Sequence, residues 1–183
     1  GCPRRTGVVP TAVPASRLAA GDGLSVDPWD RLLHARGQSL PDWVALRSGR
    51  IGVFPDAVAS PETGDEVAAV LARARRDGGR VVPYGGGTSV AGHVSPVASE
   101  APVLTLDLAR LSRLESLDAA SRLATFGAGV RGPDLEAALR AHGLTLGHFP
   151  QSFELSTLGG WIATRSSGQQ SLGYGRIERL FAG

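Results

Sequence analysis

Apolar residues recur along this chain with two alternating periods, one typical of strands and one typical of helices. Short apolar runs at residues 57–59 and 80–84 predict two strands. Between them, apolar residues follow the i, i+3, i+4, i+7 stripe of an amphipathic helix, which Thr63 opens as part of a capping box with Glu66. The pattern therefore predicts a β-α-β unit, and in parallel units of this kind ligands bind at the carboxyl ends of the strands.

The chain before this unit has a simpler pattern. Residues 27–37 and 39–49 each predict a short helix, with an N-cap, an early proline and a closing glycine. Residues 1–23 show no period and are expected to form a loose arm. We therefore predict two regions, an N-terminal arm with a helical segment over residues 1–49 and a ligand-binding domain over residues 50–183.

After the β-α-β unit the pattern favours antiparallel strands. Residues 103–108 alternate as a strand, residues 114–117 and 122–126 predict a hairpin, and a helix is expected from Pro133 onward. A β-α-β unit followed by antiparallel strands and helices indicates an α+β fold and not a doubly wound sheet.

Composition and charge exclude several classes of protein. Hydrophobic residues make up 42% and charged residues 20% of the 183 residues, which is typical of a soluble globular protein. All 19 basic residues are arginines interleaved with acids, so no basic stripe indicates nucleic acid binding. The single cysteine, Cys2, excludes a disulfide framework and a cysteine-ligated metal site, and the dispersed histidines do not suggest one either. No apolar run reaches the ~20 residues of a membrane span, and no signal peptide is evident. The expected location is the cytoplasm, or the periphery of a membrane.

The first candidate site is a glycine-rich loop that directly follows the strand at residues 80–84. Three consecutive glycines, Gly85 to Gly87, leave main-chain N–H groups open to an approaching anion, and Thr88 and Ser89 can add hydroxyl donors. This arrangement favours a phosphate-binding loop; the alternative is a tight turn after a strand.

Two common phosphate-binding loops do not fit these residues. A P-loop needs a lysine after its last glycine, and the chain contains no lysine. A Rossmann loop places its third glycine in the first turn of a helix, whereas residues 90–96 are irregular here.

The second candidate site is the hydroxyl-rich stretch at residues 147–168. Ser156 or Thr157 is a plausible N-cap for a helix that extends to about Thr164, and its macrodipole would favour an anion or an electron-rich ring near the first turn. Gly159 and Gly160 in that turn cost about 1 kcal/mol each relative to alanine, which suggests that another body lies against the backbone. The alternative is that the glycines pack this helix against a strand and the hydroxyl groups cap helix ends.

Together the two stretches resemble the PCMH-type FAD-binding domain of the vanillyl-alcohol oxidase and p-cresol methylhydroxylase superfamily. The β-α-β unit with its glycine loop is similar to the part that binds the FAD diphosphate throughout the superfamily. Residues 161–168, Trp-Ile-Ala-Thr-Arg-Ser-Ser-Gly, resemble the branch formed by alkyldihydroxyacetonephosphate synthases and their bacterial relatives. The resemblance implies that the chain is the first, truncated part of such a domain, preceded by a short helical segment.

The resemblance also implies which residues contact FAD. The loop would wrap the diphosphate, and the second stretch would line the ribityl chain and the flavin ring. The expected cofactor-binding residues are Pro83, Tyr84, Gly85, Gly86, Gly87, Thr88, Ser89, Val90, Gln151, Ser152, Ser156, Thr157, Gly159, Gly160, Thr164, Arg165, Ser166 and Ser167. Because this branch resembles the members that hold flavin non-covalently, a covalent tether through His93 is not expected. Gln151 stands where the family often has an acid, which removes a charge near the cofactor.

By the same resemblance, the whole protein would be an enzyme. It would exchange an acyl for an alkyl group on dihydroxyacetone phosphate, with the flavin N5 as its reactive centre. The alternatives are an FAD-dependent 2-hydroxy-acid or alcohol oxidase or dehydrogenase and, outside enzymes, a nucleotide-phosphate binding module. A small-molecule or lipid substrate would bind through a cap domain, and a homodimer is one expected assembly. Catalytic groups would come largely from outside this chain, so no catalytic residue is assigned and the chain alone is expected to be inactive.

Overall fold

The computed structural model describes residues 11–182, and the chain divides into two units, the first ending at Asp107 and the second beginning at Leu108. The predicted boundary between residues 49 and 50 stays a prediction. Helices and strands are mixed in the chain, so the predicted α+β class is confirmed. None of the helices within residues 11–182 has the length and the apolar character that crossing a bilayer requires.

The first unit is built on a four-stranded sheet. Its strands are β1 (Leu24–Ser25), β2 (Ala57–Ala59), β3 (Arg80–Tyr84) and β4 (Val103–Asp107), in the order β1-β2-β4-β3. The strands β2 and β3 were predicted and are confirmed, but they are not neighbours, because β4 lies between them and runs parallel to both. The interior of β4 is buried, as a nearly continuous apolar run predicts for a central parallel strand. The carboxyl ends of β2, β3 and β4 therefore lie at one edge of the sheet.

Three helices accompany this sheet, and each begins at the residue that the sequence predicts. They are α1 (Pro28–Leu33), α2 (Leu40–Ser48) and α3 (Gly64–Arg76), with Asp27, Ser39 and Thr63 as their N-caps. The Ser39 hydroxyl and the Asp42 carboxylate form a reciprocal capping box at α2. At α3 the Thr63 hydroxyl accepts from Glu66 N, but the Glu66 carboxylate accepts from Glu62 N. The predicted box at α3 therefore forms only in part, while the helix itself is confirmed.

The N-terminal arm is held in place where the structure describes it. Residues 1–10 lie outside the described residues, so for them the loose arm stays a prediction. The Arg17 guanidinium donates to Asp56 Oδ1 at 2.8 Å and Oδ2 at 2.6 Å and to the Ser99 carbonyl at 2.8 Å. Asp56 is buried and also accepts from Val103 N at 2.7 Å. Burial acts to raise the pKa of Asp56, but the bonds from Arg17 and Val103 outweigh it and lower the pKa overall. The prediction of a loose arm is therefore wrong around Arg17, since a buried carboxylate binds this segment.

The second unit combines a hairpin with short helices. Its elements are β5 (Leu114–Asp118), β6 (Leu123–Phe126), α4 (Gly132–Arg140), α5 (Leu158–Thr164), α6 (Ser171–Tyr174) and a 3-10 helix at Ile177–Arg179. The strands β5 and β6 pair antiparallel, which confirms the predicted hairpin. A core of Val130, Leu135, Leu139, Trp161 and Ile177 joins α4, α5 and the 3-10 helix. This core fixes the start of α5, because Leu158 N and Gly159 N donate to the carbonyls of residues 130 and 128.

Candidate functional site

The glycine loop begins where β3 ends, at the carboxyl edge of the parallel strands, as predicted. Gly87 is buried with φ +67°, a conformation that favours glycine. A Cβ on Gly87 would lie 2.6 Å from Cζ of Tyr84, so the tyrosine ring covers this α-carbon closely. The loop is thus shaped by the side chain that precedes it.

The loop also offers the donors that a diphosphate needs. Within residues 11–182, the main-chain N–H groups of Gly85, Gly86 and Gly87 donate to no protein acceptor. The Ser89 hydroxyl accepts from Ala91 N at 3.3 Å and lies 2.9 Å from His93 Nδ1. Three adjacent donors without acceptors, with no Cβ atoms beside them, fit an anionic oxygen ligand. The residues of the loop are therefore compatible with the diphosphate of FAD.

Two residues that the sequence analysis did not single out, His34 and Asp107, lie beside Tyr84. Asp107 is the register partner of Tyr84 at the end of β4, and His34 Nε2 lies 3.2 Å from Asp107 Oδ2. The rings of His34 and Tyr84 are 4.5 Å apart between centroids. Asp107 lies in a predicted strand, at residues 103–108, but the parallel pairing of that strand with β3 was not predicted. Nothing in the sequence pattern pointed to His34.

In the second stretch, the hydroxyl groups at the start of α5 already have protein partners. Thr157 is the N-cap, and its Oγ1 accepts from Gly160 N at 3.4 Å. The Ser156 hydroxyl accepts from Trp161 Nε1 at 2.7 Å and donates to the Ser152 carbonyl at 2.7 Å. These bonds agree with the capping alternative, and contact of these residues with FAD stays a prediction.

The two glycines of this helix differ in their surroundings. A Cβ on Gly159 would lie 2.8 Å from Cβ and 2.9 Å from the carbonyl oxygen of Ala128, so packing accounts for a glycine there. A Cβ on Gly160 would meet only Thr157 Oγ1, at 3.3 Å. Gly160 is therefore the glycine that protein packing leaves unexplained.

The end of the second stretch surrounds a buried histidine. His148 is 1% exposed, its Nε2 lies 2.8 Å from the Ser166 hydroxyl, and its ring meets Trp161 edge-on at 5.1 Å between centroids. Its Nδ1 has no hydrogen-bond partner in the part of the chain that the structure describes. Burial lowers the pKa of His148, so the ring is neutral at neutral pH. The sequence analysis considered His148 only as a metal ligand and missed its contact with Ser166.

The other predicted residues of this stretch are accessible. Gln151, Thr164, Arg165 and Ser167 are exposed, and Arg165 ends α5 in the left-handed conformation with φ 53°. The Thr164 hydroxyl donates to the Gly160 carbonyl at 2.8 Å. Accessible polar side chains at a helix end are available to bind a ligand.

The glycine loop belongs to the first unit, and the hydroxyl-rich stretch belongs to the second. Each unit brings its own predicted residues together. The convergence of both stretches on one dinucleotide stays a prediction.

A buried carboxylate supports the turn that leads to His148. Glu136 of α4 is 2% exposed and accepts from the Thr145 hydroxyl at 2.8 Å and from the main-chain N–H groups of Leu146 at 3.1 Å and Gly147 at 3.2 Å. Arg140 Nε lies 3.8 Å from the same carboxylate. One side chain thus fixes three successive residues.

We expect Glu136→Gln to lower the free energy of unfolding by about 1 kcal/mol, because the amide keeps the shape but loses the charge that strengthens these bonds. The urea midpoint of the apoprotein measures this change. Glu115→Gln, at an exposed position of β5, is the matched control and should change stability by less than about 0.5 kcal/mol. Equal midpoints for the two variants would contradict the supporting role of Glu136.

Comparison with known proteins supports an FAD site in this chain. A family model described as "FAD binding domain" matches residues 55–183, a range that contains both the glycine loop and the hydroxyl-rich stretch. The chain belongs to this family of FAD-binding domains, and FAD is its cofactor.

Two curated relatives and one solved structure define the similarity more narrowly. The chain is 38% identical over 159 residues to alkyldihydroxyacetonephosphate synthase of Dictyostelium discoideum and 40% identical over 166 residues to that of Trypanosoma brucei brucei. These matches cover 87% and 90% of the chain but 26% and 27% of the relatives, so the chain spans about a quarter of their length. A solved structure of alkyldihydroxyacetonephosphate synthase superposes with a TM-score of 0.89 at 33% identity, covering 95% of this chain and 36% of that one.

The similarity extends to redox enzymes over a shorter range. The chain is 37% identical over 121 residues to D-lactate dehydrogenase of Archaeoglobus fulgidus, which covers 66% of the chain and 26% of that protein. Both synthases named above are eukaryotic, so these matches do not support a bacterial origin of the chain.

Proposed function

We propose that the full-length protein is an FAD-dependent enzyme that exchanges the acyl group of an acylated dihydroxyacetone phosphate for an alkyl group. The observation that carries this proposal is similarity to alkyldihydroxyacetonephosphate synthases over 87% and 90% of the chain, beyond the glycine loop that many flavoproteins share. The substrate is then an acylated dihydroxyacetone phosphate together with a fatty alcohol, and a homodimer is the proposed assembly.

In this proposal the glycine loop binds the diphosphate of FAD. The unpaired N–H groups of Gly85, Gly86 and Gly87 support that role, because they can donate to phosphate oxygens without side chains in the way. Bound FAD supplies the reactive flavin ring, whereas the protein binds and orients it. Attachment is non-covalent, and the bond between His93 and Ser89 is compatible with a histidine that supports the loop.

The second stretch would hold the ribityl chain and the flavin ring. Its exposed Gln151, Thr164 and Ser167 offer hydrogen-bonding groups that the chain itself leaves accessible. The buried, neutral His148 would hold the Ser166 hydroxyl in one orientation through the 2.8 Å contact. Such an arrangement orients polar groups without placing a second charge beside the ring.

A second candidate function is oxidation of a 2-hydroxy acid or an alcohol with the same cofactor. The similarity to a D-lactate dehydrogenase favours this reading of the cofactor domain. The two candidates differ in whether electrons enter the flavin from the substrate.

One experiment separates these functions. The purified full-length protein is first examined for the visible absorbance of bound flavin, and then incubated with an acylated dihydroxyacetone phosphate and a fatty alcohol. We expect an alkyl dihydroxyacetone phosphate and a released fatty acid, with no net bleaching of the flavin. Bleaching by a 2-hydroxy acid without air, and no ether product, would support the oxidase instead. Absence of bound flavin after reconstitution with FAD would refute both.

A charge test addresses the loop itself. We expect Gly86→Asp to weaken FAD binding by about tenfold or more, because a carboxylate beside the diphosphate is repelled and desolvated. Gly86→Ala separates the effect of size from that of charge and should weaken binding less. FAD titration of the apoprotein measures both dissociation constants. Equal affinity of wild type and Gly86→Asp would remove the loop from the proposed site.

A further inference from the structure

Three side chains from separate elements of the first unit meet beside the glycine loop. Tyr84 ends β3, Asp107 ends β4, and His34 follows the last residue of α1. The His34 side chain is 13% exposed, so its surroundings are almost entirely protein. Of these three residues, only Tyr84 is among the residues expected to contact FAD directly.

Both ring nitrogens of His34 face acceptors. Nδ1 lies 2.7 Å from the carbonyl oxygen of Asp30, and Nε2 lies 3.2 Å from Oδ2 of Asp107. A neutral imidazole carries one N–H and would leave one of these oxygens facing a lone pair, whereas an imidazolium donates to both. The geometry therefore suits the protonated ring.

The charges around His34 also favour its protonated form. Burial lowers its pKa, but the hydrogen bonds to Asp107 and Asp30 and the charges of both residues raise the pKa above its ordinary value overall. Tyr84, whose ring also lies against His34, has a pKa raised to about 12 by burial and by the charge of Asp107, so its phenol stays neutral. Its surroundings therefore favour the protonated form of His34.

The cluster is connected to the glycine loop at two points. The Tyr84 hydroxyl donates to the Leu33 carbonyl at 3.4 Å, and its side chain lies against both His34 and Gly87. Further along the loop, the Ser89 carbonyl accepts from Gln38 N at 2.8 Å. The segment from α1 to α2 thus contacts both the ring that covers the loop and the end of the loop.

We propose that His34 is a positioning residue, whose imidazolium, held between Asp107 and the Asp30 carbonyl, fixes Tyr84 against Gly87 and thereby sets the glycine loop to receive the FAD diphosphate. This inference rests on the proposed function, since it assumes that the loop binds FAD. A raised pKa means that the stabilising contribution is fully present below the ordinary histidine value of 6.5 and is lost as the pH rises through the raised value. Because the imidazolium is the form proposed to position the loop, we expect FAD affinity to fall over the range in which His34 loses its proton.

The test is the FAD dissociation constant of the full-length apoprotein, measured by flavin fluorescence from about pH 6 to about pH 9. For the wild type we expect the constant to rise about fivefold or more across this range, which corresponds to the lower end of typical coupling between sites. His34→Gln should bind FAD with the weaker, alkaline affinity at every pH. Asp107→Asn should keep a pH-dependent curve but move its midpoint to lower pH, because the charge that favours the imidazolium is gone.

His142→Gln is the control, since it removes an exposed histidine of the second unit and should keep the dependence on pH. A wild-type dissociation constant that does not change with pH, or a His34→Gln variant with an unchanged curve, would overturn the inference. If His34→Gln fails to fold, the midpoint of Asp107→Asn decides, and an unmoved midpoint counts against His34. Failure of the wild type to bind FAD at any pH would refute the proposed function, whereas tight binding at every pH would refute this inference alone.

Discussion

Gly87→Ala is expected to weaken FAD binding by about a hundredfold, because the substitution combines backbone strain with a steric conflict, each costing about 1–3 kcal/mol. Gly87 has φ +67°, and its new Cβ would lie 2.6 Å from Cζ of Tyr84. The ring of Tyr84 cannot move freely, since His34 and the Leu33 carbonyl hold it. The loop would therefore shift, and its N–H groups would lose their present positions. FAD titration of the apoprotein measures the change.

Gly92→Ala separates strain from steric conflict. Gly92 has a similar backbone conformation, with φ +84°, but a Cβ there would meet nothing within 4 Å. We expect this control to weaken FAD binding by less than about tenfold, because it carries the strain alone. Equal affinities for the two variants would show that the contact between Gly87 and Tyr84 does not shape the site.

Gly159→Ala is expected to destabilise the second unit by about 2 kcal/mol, because its Cβ would conflict with the main chain of Ala128. The same contact includes the bond from Gly159 N to the Ala128 carbonyl at 2.8 Å, so the start of α5 would have to move away from this segment. The better helix propensity of alanine offsets about 1 kcal/mol at most. The urea midpoint of the apoprotein measures the net loss.

Gly160→Ala is the matched control, since it makes the same chemical change one residue later. Its Cβ would meet only Thr157 Oγ1 at 3.3 Å, so we expect stability within about 1 kcal/mol of the wild type. A loss of FAD affinity in Gly160→Ala, without loss of stability, would indicate that the cofactor lies against this glycine. Equal destabilisation by both substitutions would contradict the packing explanation for Gly159.

Local sequence patterns predicted most of the elements because their determinants lie within a few residues. The N-caps Ser39 and Thr63 and the apolar stripe of α3 need no information from elsewhere in the chain. The position of β4 between β2 and β3 could not be predicted in this way, because strand order depends on contacts between residues distant in sequence. The same limit explains why residues around Arg17 were expected to be loose, since their partner, Asp56, is 39 positions away.

In the candidate site, too, the features with local sequence signals were predicted and those that depend on distant residues were not. The glycine loop was found because three glycines after a strand form a local signal, and the resemblance to FAD-binding domains is confirmed by the match over residues 55–183. His34 was missed because its role depends on Asp107, 73 positions away in sequence. For Ser156 and Thr157, the sequence allowed either capping or cofactor contact. The bonds to Trp161 and Gly160 support capping without excluding a ligand.

The proline in β3 has a consequence for how copies of this protein meet one another. Pro83 is exposed and pairs with Leu106 of β4, and β3 is the last strand of its sheet among the residues that the structure describes. Because proline has no N–H, it leaves a gap in the row of groups that an incoming strand from a second molecule would need. The strand that delivers the phosphate-binding loop is thereby a poor template for intermolecular sheet growth, which protects this edge against aggregation.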